Sequence, residues 1–369
     1  MRLILGVMGL GCVSFACAAG VPGFVPLVVE GEPGALVPGF ALSADGTTAV
    51  GAVSQSGNAT GFRWTIADGV QSLGTLSDGT TLTSASAVSS DGTFIVGTTS
   101  TDNGSLAYRW TAGSAQSIFE LSPEAAASYG VDHESFGSAV SDDGAVAGSF
   151  LFNPPSVPFP AVRPEAFRWN GELAVLGGFI AVPAAITADG ATVIAKSGSG
   201  RRGPTVLWTP LGEPVEVEEL PFISGANDGS SDGSVVVGSL LPGAYRWTEA
   251  EGFSLLPGEA GSADNFFNSA SAVSADGTVV VGSGTSGALI WTEREGTRSV
   301  ASILTGTLGV DLQGWQLTDA VDVSADGLTI LVRGFDAEGA FGTALVTIPA
   351  PGSAAGVGLM GIIATRRRR

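Results

Sequence analysis

One short phrase recurs seven times along the chain and limits the folds that this sequence can adopt. Most copies begin with a small residue and an aliphatic residue. All copies then have Ser or Thr, one further residue and Asp-Gly, and a run of mostly small and β-branched residues follows. Successive copies lie 43 to 52 residues apart. Their turn aspartates are Asp45, Asp91, Asp143, Asp189, Asp232, Asp276 and Asp326. A repeat of this period predicts units that bury their apolar faces only against one another.

A second phrase follows each turn and ends at an aromatic position. Six copies read like GFRWT or ALIWT, and the seventh reads TALVT, with Val346 at the tryptophan position. The tryptophans are Trp64, Trp110, Trp169, Trp208, Trp247 and Trp291. A polar turn and a brief apolar run complete most copies, so each copy is predicted to form four short strands.

Short links between these strands favour an antiparallel meander, which has the size of one propeller blade. The sequence therefore predicts an all-β, seven-bladed propeller; the alternatives are an open β-solenoid or several sandwich-like units. The seventh copy lacks a fourth strand, whereas the segment FVPLVVEG precedes the first copy. We expect Pro26 to Glu30 to pair into the last blade and close the ring.

The start of the chain predicts a secretory signal peptide over residues 1–18. Arg2 precedes an apolar stretch from Leu3 to Phe15, and Ala16-Cys17-Ala18 fits the small-x-small cleavage rule. Residues 20–348 would then form the exported body. Both cysteines lie in the leader, so this body would have no disulfide and no cysteine ligand for a metal.

The end of the chain, 349–369, predicts transient contact with a membrane. Ser353 to Thr365 is uncharged and mostly apolar, and Arg366, Arg367, Arg368 and Arg369 follow it. Thirteen helical residues rise only about 20 Å, which is short of a hydrocarbon core about 30 Å thick. A short apolar helix awaiting processing fits this length better than a permanent anchor, although an ordinary short C-terminal anchor is the alternative.

The tail resembles a known sorting signal. The motif Pro349, Ala350, Pro351 and Gly352, followed by a short apolar segment and an arginine run, is similar to the PEP-CTERM signal in a Pro-Ala-Pro-Gly variant. The commonest form has Pro-Glu-Pro instead. This resemblance implies recognition by an exosortase, a membrane transpeptidase-like enzyme, with cleavage near the motif and release or attachment at the cell surface.

The repeats resemble HAF-type extracellular repeats. Gly61 to Trp64, Ala166 to Trp169 and the stretch from Val70 to Gly97 carry the resemblance, which extends over most of residues 36–347. It implies an exported repeat protein and brings no established activity with it.

The charge of the body argues against some partners. Without Arg2 and the four terminal arginines, 11 basic residues face 35 acidic ones, for a net charge of −24. Such a field repels nucleic acid and anionic lipid. It suits a soluble domain in an ionic exterior, or one that meets cations.

The turn aspartates are best interpreted as turn residues, because Asp before Gly suits a tight loop. The alternative is Ca²⁺ binding, since this hard cation takes oxygen ligands. Most copies offer one carboxylate, and the richest candidate for a calcium site is the pair Asp142 and Asp143.

The Arg-Trp pairs, with Arg63, Arg109, Arg168 and Arg246, are interpreted as architectural. Trp would pack between blades, while Arg, on the other strand face, would meet neighbouring acids or carbonyl groups. The alternative is carbohydrate binding on exposed Trp. Irregular loops are further candidates for binding: Ser122 to Ser135, with the single histidine His133, Phe150 to Pro164, Gly200 to Gly203, and Gly261 to Asn268.

No nucleophile elbow, zinc-binding His pair or phosphate-binding loop occurs in the sequence. The favoured function is therefore a non-enzymatic interaction scaffold at the cell surface or in the matrix, without a required cofactor. The alternatives are a propeller that binds or degrades polysaccharide and a calcium-stabilised adhesin. Three or more acids clustered in the central channel, with exposed aromatics, would favour the polysaccharide function; a channel of Val, Ala and Ser would favour the scaffold.

Overall fold

Seven four-stranded antiparallel sheets make up the computed structural model of the chain. The structure describes residues 22–28, 39–55, 58–102, 104–122, 134–152, 163–177, 181–197, 205–209, 214–217, 224–240, 243–260 and 267–349. Each sheet is one blade, and the sheets are arranged in a closed ring. The predicted seven-bladed propeller is confirmed.

Blades 1 to 4 each contain four strands that follow one another in the chain. Blade 1 contains β2 (Gly39–Leu42), β3 (Thr48–Gln55), β4 (Asn58–Thr65) and β5 (Gly69–Ser72). Blade 2 contains β6 (Ser84–Val88), β7 (Phe94–Thr101), β8 (Gly104–Thr111) and β9 (Ser114–Ser117), followed by the helical turn α1 (Ile118–Leu121). Blade 3 contains β10 (Glu134–Val140), β11 (Val146–Phe152), β12 (Arg163–Trp169) and β13 (Leu173–Leu176). Blade 4 contains β14 (Ala181–Ile186), β15 (Val193–Ser197), β16 (Thr205–Trp208) and β17 (Pro214–Glu216).

Blades 5 and 6 repeat this order, and blade 7 combines both ends of the ring. Blade 5 contains β18 (Ser224–Gly229), β19 (Val235–Leu240), β20 (Ala244–Thr248) and β21 (Gly252–Leu255). Blade 6 contains β22 (Phe267–Val273), β23 (Val279–Gly284), β24 (Gly287–Thr292) and β25 (Gly296–Ser299). Blade 7 contains β26 (Gln316–Val323), β27 (Thr329–Phe335), β28 (Phe341–Thr347) and the N-terminal strand β1 (Gly23–Pro26).

The recurring Asp-Gly phrase forms the turn between the first two strands of each blade. In blade 1, Thr47 N donates to Asp45 Oδ1 (2.9 Å) and Thr48 N donates to Ser43 Oγ (2.9 Å). Gly46 has φ of 71°, and a side chain there would collide with Thr329 of blade 7. Glycine is therefore required both by the left-handed turn and by the neighbouring blade.

The first strand of every blade carries a β-bulge. The pairing register shifts between Gly39 and Ala41 in blade 1 and between Ala85 and Ala87 in blade 2, and the other five first strands shift at the equivalent place. Bulges bend a strand and increase its twist. These seven strands lie side by side around the central channel.

The ring is closed by the N-terminal strand. β1 pairs with β28 over Gly23↔Thr347 to Pro26↔Ala344, and Leu27 N then donates to Thr343 O at 2.8 Å. The expected latch therefore exists, but the predicted segment was wrong by three residues: Gly23–Pro26 forms the strand, not Pro26 to Glu30. Phe24 explains the shift, because its ring packs edge-on against Trp315 at 5.4 Å.

Hydrophobic clusters fill the seven seams between blades. The closing seam joins Leu331 and Leu345 of blade 7 to Leu42 and Phe62 of blade 1, with Leu27 fully buried between them. The other six seams hold equivalent clusters. This continuity rules out an open solenoid and separate sandwich-like units.

One predicted strand is partly helical. The alternating sequence RSVASI (Arg298 to Ile303) predicts a fourth strand for blade 6. In the structure, β25 ends at Ser299 and is followed by the short helix α2 (Val300–Ser302) and a π-helical turn (Ile303–Thr307). Ser299 caps this segment by accepting from Ser302 N. Within the described ranges, no helix is long and apolar enough to cross a bilayer.

The latch gives a direct test of closure. We expect Leu27→Ala to lower the free energy of unfolding by about 2–5 kcal/mol, because it leaves a cavity in the closing seam. The matched control is Val28→Ala, since Val28 is 43 % exposed and its truncation should change stability by about 0.5 kcal/mol or less. Urea unfolding measures both variants; equal effects would contradict the latch.

Candidate functional site

The central channel is walled mainly by small side chains. Its cavity has a volume of about 520 Å³ and is lined by the first strand of each of the seven blades. Most lining residues are Val, Ala and Ser, and three are aspartates: Asp142, Asp228 and Asp322. The described part of the chain gathers no three His, Cys, Asp or Glu residues in metal-binding proximity.

A belt of hydrogen bonds surrounds one mouth of this channel. At six of the seven blade junctions, a turn N–H donates to a carbonyl oxygen of the following blade, at 2.8–3.2 Å: Asp45 to Ser90, Asp142 to Ala188, Ala188 to Ser231, Ser231 to Ala275, Ala275 to Ala325, and Ala325 to Ala44. At the seventh junction, Ser90 N donates to the Asp142 carboxylate at 3.0 Å. The side chain of Asp142 thus completes the belt.

Asp228 and Asp322 break the symmetry of the channel. Both lie just after the bulge of their strand, at the position that alanine occupies in the other five blades. Asp228 accepts from Val273 N of blade 6 (2.9 Å), and Asp322 accepts from Leu42 N of blade 1 (2.7 Å). Each carboxyl group therefore links its blade to the next.

The environment raises the pKa of both carboxyl groups to about 7. The main cause is desolvation, because the walls of the narrow channel surround each carboxyl group with protein. The negative charge of Asp322 raises the pKa of Asp228 further. Backbone hydrogen bonds from Val273 and Leu42 act in the opposite direction. Both residues remain partly exposed to the channel. These are the groups of the channel that can take up or release a proton near neutral pH.

The seven turn aspartates are used within their own turns. Asp232, for example, accepts from Ser234 N (2.9 Å) and Ser230 Oγ (2.8 Å), which holds the pKa of Asp232 below its usual value. Asp143 likewise accepts from Ser141 Oγ and Ala145 N. The calcium candidates Asp142 and Asp143 therefore each have protein donors, and calcium binding there remains a prediction.

The Arg and Trp residues of the second phrase lie in the seams. Each tryptophan packs in the cluster shared with the preceding blade. Between blades 2 and 3, the Arg109 guanidinium lies 4.4 Å from the centre of the Trp169 ring and donates to Gly144 O at 3.0 Å. Arg168 of blade 3 donates similarly to Ala191 O of blade 4 (2.8 Å). The partners of both arginines are the expected neighbouring carbonyl groups.

The seam between blades 6 and 7 has neither the repeat arginine of one blade nor the repeat tryptophan of the next. Ile290 of blade 6 stands at the arginine position, and Val346 of blade 7 stands at the tryptophan position. A cleft of about 690 Å³ opens in this seam, whereas the cavity beside Arg168 and Trp208 in the seam of blades 3 and 4 has about 190 Å³. We call the larger cavity the seam cleft; its lining includes Val279, Ile290, Ile303, Leu308, Leu328, Ile348 and Pro349.

A second surface feature is a patch of exposed phenylalanines, which we call the phenylalanine face: Phe40, Arg333, Phe335 and Phe341. The rings of Phe335 and Phe341 lie 5.4 Å apart on paired strands. Arg333 points to the same side of its strand as Phe335, stacks over Phe40 at 5.1 Å, and donates to Gly39 O. All three phenylalanines are about 40 % exposed or more, and Phe40 also lines the channel.

Several predicted site residues lie outside the described residues. These are the leader, the sorting motif from Ala350 onward with its terminal arginines, His133, and most of the four irregular loops. Of the motif, Pro349 is described, at the wall of the seam cleft.

The sequence analysis does not identify the channel aspartates, the seam cleft or the phenylalanine face. The first two of these features have a signal in the sequence. Aligning the seven phrases places Asp228 and Asp322 where the other copies have Ala, and places Ile290 where four copies have Arg. The phenylalanine face has no such sequence signal. Phe335 and Phe341 lie in a hairpin, and only the fold determines whether their side chains are exposed.

The carboxyl groups of the channel predict a pH dependence. Between about pH 4 and pH 7 the folded ring holds protons that the unfolded chain has lost, so the free energy of unfolding falls as the pH rises through this window. We expect Asp228→Asn with Asp322→Asn to remove this slope and to raise Tm at pH 8 by about 2–4 °C. Thermal melts from pH 5 to pH 8 measure it, with exposed Glu249→Gln as control. Equal slopes in all three proteins would contradict the assignment.

Comparisons with known proteins support the fold. No model of a protein family matches the chain, and the search of curated proteins found no match. Among solved structures, oligogalacturonate lyase from Vibrio parahaemolyticus is 13 % identical, with a TM-score of 0.54 over 90 % of this chain and 99 % of that one. The β-propeller domain of Cps50 (Swd1) from Myceliophteria thermophila is 11 % identical (TM-score 0.48; 85 % and 96 % covered), and TolB from Acinetobacter baumannii is 12 % identical (TM-score 0.42; 86 % of both). At 13 % identity, the similarity to the Vibrio protein concerns the fold alone. By its own strand pairing, the chain is a seven-bladed β-propeller.

Proposed function

We propose that the protein is an exported, non-enzymatic scaffold that presents a rigid propeller for binding at the cell surface or in the extracellular matrix. The observation that carries this proposal is how the repeated side chains are used. The turn aspartates bond within their turns, and the repeat tryptophans and their arginines pack in the seams. Because these residues maintain the ring, binding is assigned to the positions that differ between blades.

The ends of the chain support export and processing. The leader at residues 1–18 fits secretion, and the Pro-Ala-Pro-Gly motif with its arginine run fits handling by an exosortase-type enzyme. The tail would contact the membrane only until it is processed. The acidic body suits an exterior rich in cations and disfavours nucleic acid as a partner.

The phenylalanine face is the surface that we assign to the partner. Three partly exposed phenylalanine rings and one guanidinium group form two contacting pairs on blades 7 and 1, and Phe40 of one pair lines the channel. Aromatic rings supply apolar area and Arg333 supplies hydrogen-bond donors, a combination that is enriched at binding surfaces. Exposed apolar side chains grouped in this way mark an interaction site more often than single ones do.

Binding of a polysaccharide is the second candidate function, and the composition of the phenylalanine face favours it. Sugar rings have apolar faces that pack on aromatic side chains and hydroxyl groups that bond to guanidinium, and the phenylalanine face offers both. A neutral or basic polymer fits best, because the net charge of the body is strongly negative. The similarity to an oligogalacturonate lyase adds no support for cleavage, because at 13 % identity it concerns the fold alone.

Binding to glycan and cell-envelope arrays tests the proposal, with residues 20–348 as the probe. We expect Phe335→Ala with Phe341→Ala to weaken binding about tenfold or more, because truncating central aromatic residues costs a binding surface about 1–2 kcal/mol or more. The control is Val182→Ala with Val215→Ala, which removes two exposed apolar side chains from blade 4. Equal binding by both double variants would exclude the phenylalanine face. Turnover of a bound glycan would overturn the non-enzymatic assignment.

A further inference from the structure

The seam cleft lies in the seam where two repeat side chains are replaced together. Two third-strand positions meet in each seam. One is the position of the first blade that Arg occupies in four of the seven blades, and the other is the tryptophan position of the next blade. Leu207 and Leu345 replace the arginine in two other seams, but Trp247 and Trp64 still fill those seams. Among the seven seams, only that of blades 6 and 7 lacks both side chains of this pair; the tryptophan in its cluster, Trp315, comes from outside the repeated phrase.

The wall of the seam cleft is chiefly apolar, but its rim is charged. Val279 and Ile290 come from blade 6, Leu328 and Ile348 from blade 7, and Ile303 from the π-helical turn between them. The charged groups at the rim are Glu293, Arg294, Glu295, Arg298 and Asp326. Arg298 is already paired with Glu295 at 3.0 Å. The volume of about 690 Å³ lies in the range of natural ligand sites.

The chain itself leads into this cleft. Because the N-terminal strand fills the fourth position of blade 7, the chain leaves the blade from the end of its third strand, inside the seam. Ile348 N donates to Leu328 O at 2.8 Å, and Ile348 and Pro349 then form part of the wall. The apolar segment 353–365 begins only four residues later, within a reach of about 14 Å.

We infer that the seam cleft is the intramolecular docking site of the apolar C-terminal segment, residues 353–365. The side chains available to fill it are Val357, Leu359, Met360, Ile362 and Ile363, which match an aliphatic wall. The short tether gives an effective concentration in the millimolar range. The four terminal arginines that follow are attracted by Glu293 and Asp326 at the rim and repelled by Arg294.

Docking controls when the tail is available. In the docked state the apolar segment is withdrawn from water and from the membrane, and a membrane or a processing enzyme must displace it before insertion or cleavage. The docking itself does not depend on the proposed scaffold, because it concerns the seam of blades 6 and 7 and not the phenylalanine face. The control of insertion and cleavage rests on the proposed processing of the tail.

A synthetic peptide of residues 352–369 tests the docking by isothermal titration calorimetry. The acceptors are the full chain, the chain ended after Pro349, and that shortened chain with Leu328→Trp, a change at a partly exposed wall residue of the cleft. All 28 strands in the described parts of the chain precede Pro349, so the shortened chain retains each of them. We expect the peptide to bind the shortened chain, to bind the full chain at least about tenfold more weakly because its own tail competes, and to bind the Trp variant at least about tenfold more weakly because an indole ring fills the cleft.

A second measurement protects the test from a variant that fails to fold. The dye 1-anilinonaphthalene-8-sulfonate should fluoresce more strongly with the shortened chain than with the full chain, and adding the peptide should reverse the increase. No peptide binding to the shortened chain up to 1 mM, or equal dye fluorescence of both chains, would overturn the inference. Light scattering that shows a dimer of the full chain, lost on shortening, would instead place the tail in a second copy and would also overturn it.

Discussion

Contact between blades is the constraint on which the rest of the structure depends. A four-stranded sheet with apolar residues on both faces cannot shelter them alone. Here each seam holds one cluster, and the residues of two blades contribute to it, as Phe167 and Val96 do between blades 2 and 3. A single blade is therefore not expected to be stable alone, and the seventh seam is needed as much as the first to bury the apolar faces. The belt of turn hydrogen bonds follows the same circle at the channel mouth.

Closure by the N-terminus has a consequence for the other end of the chain. The outer strand of blade 7 is β1, paired with β28. A chain that built its own fourth strand would end at the outer edge of the ring, but this chain ends its last strand between blade 7 and blade 6, at Thr347. The mode of closure thus brings the C-terminal residues Ile348 and Pro349 to the wall of the seam cleft.

Much of the fold could be predicted from the sequence because each repeat contains the same local signals. The Asp-Gly turns and the tryptophan phrase gave the strand count and the blade count, and a missing fourth strand indicated the latch. The latch register was predicted three residues late, because the partner that fixes Phe24 is Trp315, 291 positions away. The helix after Ser299 was missed because RSVASI has the alternating pattern of a strand, whereas Ser299 and the packing of Val300 and Leu304 decide the local structure.

The candidate sites were harder to predict, because each depends on which repeats become neighbours. Ile290 and Val346 are separate irregularities in the sequence, in different repeats and in different roles. Only in the ring does the arginine position of one blade face the tryptophan position of the next. The seam cleft lies in the seam where both positions carry smaller side chains, and Ile290 lines it. Asp228 and Asp322 illustrate the same point. Each replaces an alanine, and the channel desolvates both carboxyl groups and brings the charge of Asp322 close enough to raise the pKa of Asp228 further. In a symmetric repeat protein, irregularities should therefore be compared across the seam that joins two repeats rather than within one repeat.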